Sequence, residues 1–157
     1  MRRIRWFSIA VFPLLAPVPA ASGSNCHTYD QPTNVWDGNG GPWLTGHVYI
    51  LKAFVAVPAG QTLTIQPGAI VKFDTGEYLT VDGTLTAIGT SGSLIWFTSL
   101  KDDAVGGDHN GDGGATTPAK GNFRRIEIGG SSTNSKLEWC RIRYGGYFGG
   151  PLSLIHI

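Results

Sequence analysis

The sequence predicts an all-β chain wound as a parallel β-helix, a solenoid of about three coils that follows an N-terminal cap and a signal peptide. Two observations predict it. First, short runs rich in β-branched and apolar residues, Val-Ala-Val at 55–57, Leu-Thr-Ile at 63–65 and Ile-Val-Lys-Phe at 70–73, are separated by Pro58-Ala59-Gly60 and Gln66-Pro67-Gly68. Each run is too short for a helix, and the proline and glycine of Gln66-Pro67-Gly68-Ala69 suit a type II turn. No Asn-Gly pair of a tight hairpin joins these runs, so the chain is expected to wind rather than fold back. Second, the runs recur. Val48 to Ile70 and Leu63 to Leu85 are 22 positions apart, Val55 to Leu79 is 24 and Ile70 to Ile95 is 25. A period in the twenties with three runs per repeat is the spacing of stacked coils.

The opening residues are a separate object. Arg2, Arg3 and Arg5 precede the apolar run at 6–15, and Ala16-Pro17-Val18-Pro19-Ala20-Ala21 supplies small residues for cleavage. Residues 1–20 therefore predict a secretory signal peptide rather than a membrane anchor, because the apolar stretch is short and broken by Pro13 and Pro17. No stable membrane span is expected after its removal. Gly23-Ser24-Asn25 before Cys26 lacks the aliphatic residue of a lipobox, so no lipid anchor is expected either.

Residues 21–46 are polar and carry Trp36 and Trp43. They predict a leader that covers the open end of the first coil, with sugar stacking as the other role for the two indoles. Coils are expected over 47–151. They are interrupted at 101–122 by a stretch rich in Gly, Asp and Asn that reads as a long excursion from one corner. Strands resume at 123–128 and 137–144. In an exported protein Cys26 and Cys140 could pair, but Cys140 also alternates with Ile142 and Tyr144 as a buried thiol would. Leu152-Ser153-Leu154-Ile155-His156-Ile157 resembles translated sequencing adapter, so the chain is read as a fragment; a natural apolar tail is the alternative.

With 157 residues the chain has room for one packed domain, and its 23 glycines fit a turn-rich protein. The formal net charge of +1 gives no electrostatic basis for nucleic acid or an anionic membrane as partner.

The stretch 57–68 (Val-Pro-Ala-Gly-Gln-Thr-Leu-Thr-Ile-Gln-Pro-Gly) carries a family likeness together with Val71-Lys72-Phe73 and Val81-Asp82-Gly83-Thr84-Leu85. Phe97-Thr98-Ser99 with Asp102-Asp103, and Arg143-Tyr144-Gly145-Gly146, extend it. As a set they resemble the opening of bacterial right-handed parallel β-helix repeat proteins of the pectin-lyase-like superfamily, over about two-thirds of the chain. The resemblance implies a right-handed coil and an exported protein, and says less about activity. The superfamily's hydrolases use clustered aspartates with Gly-His-Gly and Arg-Ile-Lys. This chain has Asp102-Asp103 and Arg141-Ile142-Arg143 but no Gly-His-Gly. Its lyases pair an arginine with calcium held by acidic strand residues, and no such ladder accompanies Arg124, Arg125 or Arg141 here. These arginines are read as a solvated face.

One constellation has a chemical reading. Asp108-His109-Asn110-Gly111-Asp112-Gly113 sets Asp108, Asn110 and Asp112 at alternate positions before a glycine, as calcium loops do, and Asp102 and Asp103 could add carboxylates. An EF-hand is excluded, because its twelfth position is Ala119 rather than glutamate. The other reading is a solvated acidic turn. His109, without a nucleophile beside it, reads as a solvent-exposed loop residue. The expected function is a secreted or cell-surface, non-catalytic scaffold that displays loops to polysaccharide or to cell-surface protein, with calcium as the one candidate cofactor. The alternative is the N-terminal part of a polysaccharide lyase or glycoside hydrolase whose catalytic residues lie downstream.

Overall fold

The computed structural model describes residues 25–146, so the expected signal peptide at 1–20 and the tail at 152–157 lie outside the described residues. Fourteen short strands and no helix carry this part of the chain. In order they are β1 (Cys26–Tyr29), β2 (Thr33–Asn34), β3 (Trp36–Asp37), β4 (Gly40–Gly41), β5 (Val48–Leu51), β6 (Val55–Val57) and β7 (Thr62–Ile65). There follow β8 (Ile70–Phe73), β9 (Leu79–Val81), β10 (Thr84–Ile88), β11 (Ile95–Ser99), β12 (Ile126–Ile128), β13 (Lys136–Glu138) and β14 (Cys140–Ile142).

Three sheets result. The first has the order β1-β5-β8-β11-β14, the second β12-β9-β6-β2 and the third β13-β10-β7, with β3 and β4 forming a small pair of their own. Every strand pairing is parallel. From β5 onward the chain visits first, second and third sheet in unbroken rotation, and each strand hydrogen-bonds to its equivalent one revolution away. Among the described residues no helix is long and apolar enough to cross a membrane.

Three of the four expected repeat spacings are the observed registers: Val48 lies against Ile70, Val55 against Leu79 and Leu63 against Leu85. The fourth is corrected by one residue, since Ile70 lies against Trp96 rather than Ile95. Side chains alternate across a strand, so a one-residue slip would turn the buried face outward. In the observed register Phe97 follows Val71 into the core and Ile95 follows Ala69, all four fully buried, while Trp96 stays outside. The extra residue is absorbed in the preceding turn, where Thr90 and Ser93 exchange two backbone hydrogen bonds of 3.1 Å.

The core is one continuous column of inward side chains, including Leu51, Val57, Leu63, Val71, Phe73, Leu79, Leu85 and Phe97. The leader contributes more than a cover. Although β1 and β2 are largely polar, they pair in parallel with β5 and β6, and Trp43 bridges to Ile65, so residues 25–46 form an additional rung. Trp43 is fully buried and stacks on Tyr49 at 4.7 Å, with Nε1 donating to the Tyr29 hydroxyl. That removes it as a sugar platform and makes it the plug of the column. Trp36 is only half-buried.

Cys26 and Cys140 lie on β1 and β14, the opposite edges of the five-stranded first sheet, and both thiols are free. Four strand spacings separate them by about 19 Å, far beyond the reach of a disulfide. Partial burial against the core pushes the Cys140 thiol up to about 11, which makes it unreactive.

At the N-terminal rung His27 Nε2 and His47 Nδ1 are 2.9 Å apart, and His27 also stacks on Tyr49 at 4.8 Å. One imidazole must donate and the other accept, so they cannot both be charged without two N–H groups facing each other. Partial burial and then the neighbouring His47 lower the His27 pKa below its usual 6.5. The unfolded chain therefore binds the proton first as pH falls. His27's contribution to stability is expected to be complete above pH 6.5 and to be lost as pH falls through its lowered value. Urea midpoints measured across this range should fall less steeply in His27→Gln; an unchanged slope would remove the pair from the account.

Candidate cation-binding loop on the flank of the stack

The excursion leaves β11 at Leu100 and rejoins the second sheet at Ile126. Its first part folds back over the outer face of the first sheet, where Leu100 packs with Val48, Ile50 and Ile70 in a small apolar cluster apart from the main core. Gly106 lies flat against this cluster at a φ of 74°, and a Cβ there would come within 2.9 Å of Ile70 Cδ1. Only glycine meets both requirements.

Lys72 points outward from β8 between Ile50 and Thr98, yet it is 0 % exposed because the loop covers it. Its Nζ donates to the carbonyl oxygens of Asp102 at 3.0 Å and Gly107 at 2.5 Å. Burial lowers its pKa, while the carboxylates of Asp103, Asp102 and Asp108 oppose that shift.

The five candidate ligands divide. Asp102 is not brought to the others: its buried Oδ2 accepts from Thr98 Oγ1 at 2.6 Å and lies 3.9 Å from Arg143 NH1. It ties the base of the loop to the first sheet. Asp103, Asp108 and Asp112 do converge, each with one carboxylate oxygen within 4.8 Å of the others. Asp108 accepts the backbone N–H of Gly111 at 2.7 Å on one oxygen and that of Gly113 at 2.9 Å on the other. These bonds hold its pKa down, and each oxygen keeps acceptor capacity.

Asp112 keeps none. Its Oδ1 accepts from Gly114 and Ala115, and its Oδ2 from the Thr116 amide, the Thr116 hydroxyl and Asn110 Nδ2. A carboxylate offers about four lone-pair sites, so five donors saturate it. The Thr116 hydroxyl is the largest cause of its lowered pKa. Asp112 thus folds the loop, and the alternate spacing legible in the sequence marks a turn organiser at this position.

Two other oxygens are left over. Asp103 Oδ1 and Asn110 Oδ1 are enclosed and have no hydrogen-bond partner. A buried acceptor left unsatisfied costs about 1–3 kcal/mol, and enclosed carboxylate and amide oxygens are the donor set of a hard divalent cation. The residues present therefore suit a hard divalent cation such as calcium: Asp103 and Asp108 would hold it by their converging carboxylates, and Asn110 offers a further oxygen from the same loop. His109 is half-exposed, with Nδ1 2.9 Å from the Gly107 carbonyl oxygen, which fits a backbone-tethered loop residue.

Sequence reading passed over Lys72 and ranked Asp103 low. Lys72 acquires its role from its bond to Asp102, thirty positions away along the chain, and Asp103 from the folding of the loop that brings it to Asp108 and Asp112. The one local signal was a lysine in the apolar run Ile-Val-Lys-Phe.

The arginines occupy the outer faces. The Arg141 and Arg143 guanidiniums lie 5.3 and 5.9 Å from the Trp96 ring centre, and Arg124 and Arg125 lie 5.5 and 5.4 Å from that of Tyr78. Arg125 also pairs with Glu127 at 2.6 Å.

Comparison with known proteins finds no match among family models, curated proteins or solved structures. What defines the class is the architecture of the described residues: stacked parallel strands without a helix, and a long acidic loop at their side.

Proposed function

We propose that this chain belongs to a right-handed parallel β-helix protein of the pectin-lyase-like kind, bacterial and exported to the cell surface or beyond. It acts without catalysis, as a stiff scaffold that holds a calcium-ordered loop against polysaccharide or cell-surface protein. Right-handedness is supported by the strong bias of parallel crossover connections, and export by the arginines and apolar run at 1–20. The observation that carries the calcium reading is the enclosed, unpartnered oxygen on Asp103, whose carboxylate converges with that of Asp108, together with the enclosed, unpartnered oxygen that Asn110 offers from the same loop. Trp139, 57 % exposed, and the guanidiniums over Trp96 give the flank an aromatic and cationic character suited to an acidic sugar chain.

The test is calcium titration followed by thermal unfolding. Calcium at a hundredfold excess over its Kd is expected to stabilise the protein by about 2.7 kcal/mol, reversibly with chelator. Asp103→Asn and Asp108→Asn are expected to abolish the increment. Asp112→Ala should also lower stability without calcium, since it removes the loop's own hydrogen bonds. A wild-type protein whose melting temperature ignores calcium would end the metal reading. Incubation with polyuronides is expected to release neither reducing ends nor unsaturated products; release of either would favour the lyase or hydrolase alternative.

A further inference from the structure

We propose that Lys72 is the positioning residue of this loop, a built-in cation that draws the Asp102 and Gly107 carbonyls onto the sheet and so presets Asp103 and Asp108 for an incoming metal. The inference rests on the calcium reading above and adds what organises the site beforehand.

Lys72 lies at the centre of the outer face of the first sheet, in line with Ile50 on one side and Thr98 on the other. Neither neighbour serves it: Ile50 has no acceptor, and the Thr98 hydroxyl is directed to Asp102 Oδ2. A buried ammonium must find acceptors, and among the described residues the two bonded to it both come from the loop. Their positions matter. The carbonyls of Asp102 and Gly107 bracket the short segment 103–106, so one ammonium clamps both ends of it. Asp103 directly follows the first anchor and Asp108 the second. Positive φ values at Gly106 and Gly107, 74° and 90°, let the chain double back there. The Gly107 oxygen is shared with His109 Nδ1 at 2.9 Å, which carries the constraint on toward Asn110. Asp103 Oδ1 and Asn110 Oδ1, the enclosed oxygens without partners, thus lie just beyond the two anchors.

A lysine that merely neighboured the site would have the opposite effect. Its positive charge would repel an arriving cation, so deleting it would tighten binding. The sign of the change therefore separates the two roles. Lys72→Met keeps most of the length and suits a covered position beside Ile50. Calcium affinity of the full chain is expected to fall by about 10- to 100-fold, the usual effect of losing a residue that orients metal ligands. Amide exchange in the calcium-free protein should show protection lost over 102–107 and kept in β9 and β10. Gly107→Ala, which strains the turn that aims one carbonyl at the ammonium and clashes with nothing within 4 Å, should weaken calcium in the same direction. It covers the case in which Lys72→Met fails to fold. Unchanged or tighter binding in the variants would overturn the inference. Should the wild type bind no calcium, the calcium reading falls, and exchange over 102–107 in Lys72→Met still decides whether the lysine sets the loop.

Discussion

Phe73→Ala is expected to lower the unfolding free energy by about 3–5 kcal/mol, the range for a buried aromatic. Phe73 is the last residue of β8, fully buried, with Leu51 one rung before it and Ser99 one rung after. Its ring stacks on Phe123 with centroids 4.3 Å apart and planes 13° from parallel. Serine on the following rung is too small to fill the void, and Phe123 is itself 1 % exposed, so the site can collapse only partly. Phe73→Leu should cost less, about 1.5 kcal/mol or under. Because Phe123 stands at the far end of the excursion, loosening its partner should also expose the loop's return to β12. Urea midpoints at constant m-value would measure the first effect and proteolysis near Asn122 the second. A loss below about 1 kcal/mol in the alanine variant would mean that the ring does not occupy the core.

Gly83→Ala is the second large effect, and here the cause is space. The residue is buried at the corner between β9 and β10, and its φ is not positive, so the usual glycine argument from conformational freedom does not apply. A Cβ would overlap the carbonyl oxygens of Pro58 and Gln61 on the preceding rung. Neither oxygen can retreat freely. Gln61's accepts the Thr84 amide at 2.8 Å, and Pro58's accepts the Gln61 amide at 3.0 Å. Overpacking against backbone is expected to cost about 3 kcal/mol. Asparagine, tolerated where left-handed φ is the requirement, should fare no better at this site. Gly60 is the control: its φ is 76° and nothing lies within 4 Å of an added Cβ, so Gly60→Asn is expected to cost no more than about 1 kcal/mol. Equal stability of Gly83→Ala and wild type would show that the rungs are not in this close contact.

These two sites show which parts of the chain could be read from its letters. Pro58-Ala59-Gly60 and Gln66-Pro67-Gly68-Ala69 announced corners, and the apolar runs announced the rungs, because turn length and side-chain alternation are local properties. Three registers followed from them. The fourth slipped because the Thr90–Ser93 turn takes up one residue, and spacing alone cannot say whether a turn or a strand absorbs it. The leader's rung was missed because Cys-His-Thr-Tyr lacks an apolar face, and its strand exists only through pairing with β5. In the loop, Asp108, Asn110 and Asp112 stood out by their spacing. Which of them retains a free lone pair depends on where Thr116 and the glycine amides fall. Lys72 gains its meaning only when a distant segment meets it, and Asp103 only when the loop folds it onto Asp108.

The corner that launches the excursion has a further consequence. One rung earlier the same passage from first to second sheet is made by residues 74–78, whereas here it takes 100–125, yet Ile126 still settles against Leu79. Lengthening a closure by that amount costs about 1.5 kcal/mol in chain entropy, less than one well-buried core side chain returns. Successive revolutions are therefore tolerant of foreign peptide at this vertex, and a grafted epitope or binding sequence placed at 74–78 should ride on the stack without disturbing the floors above and below it.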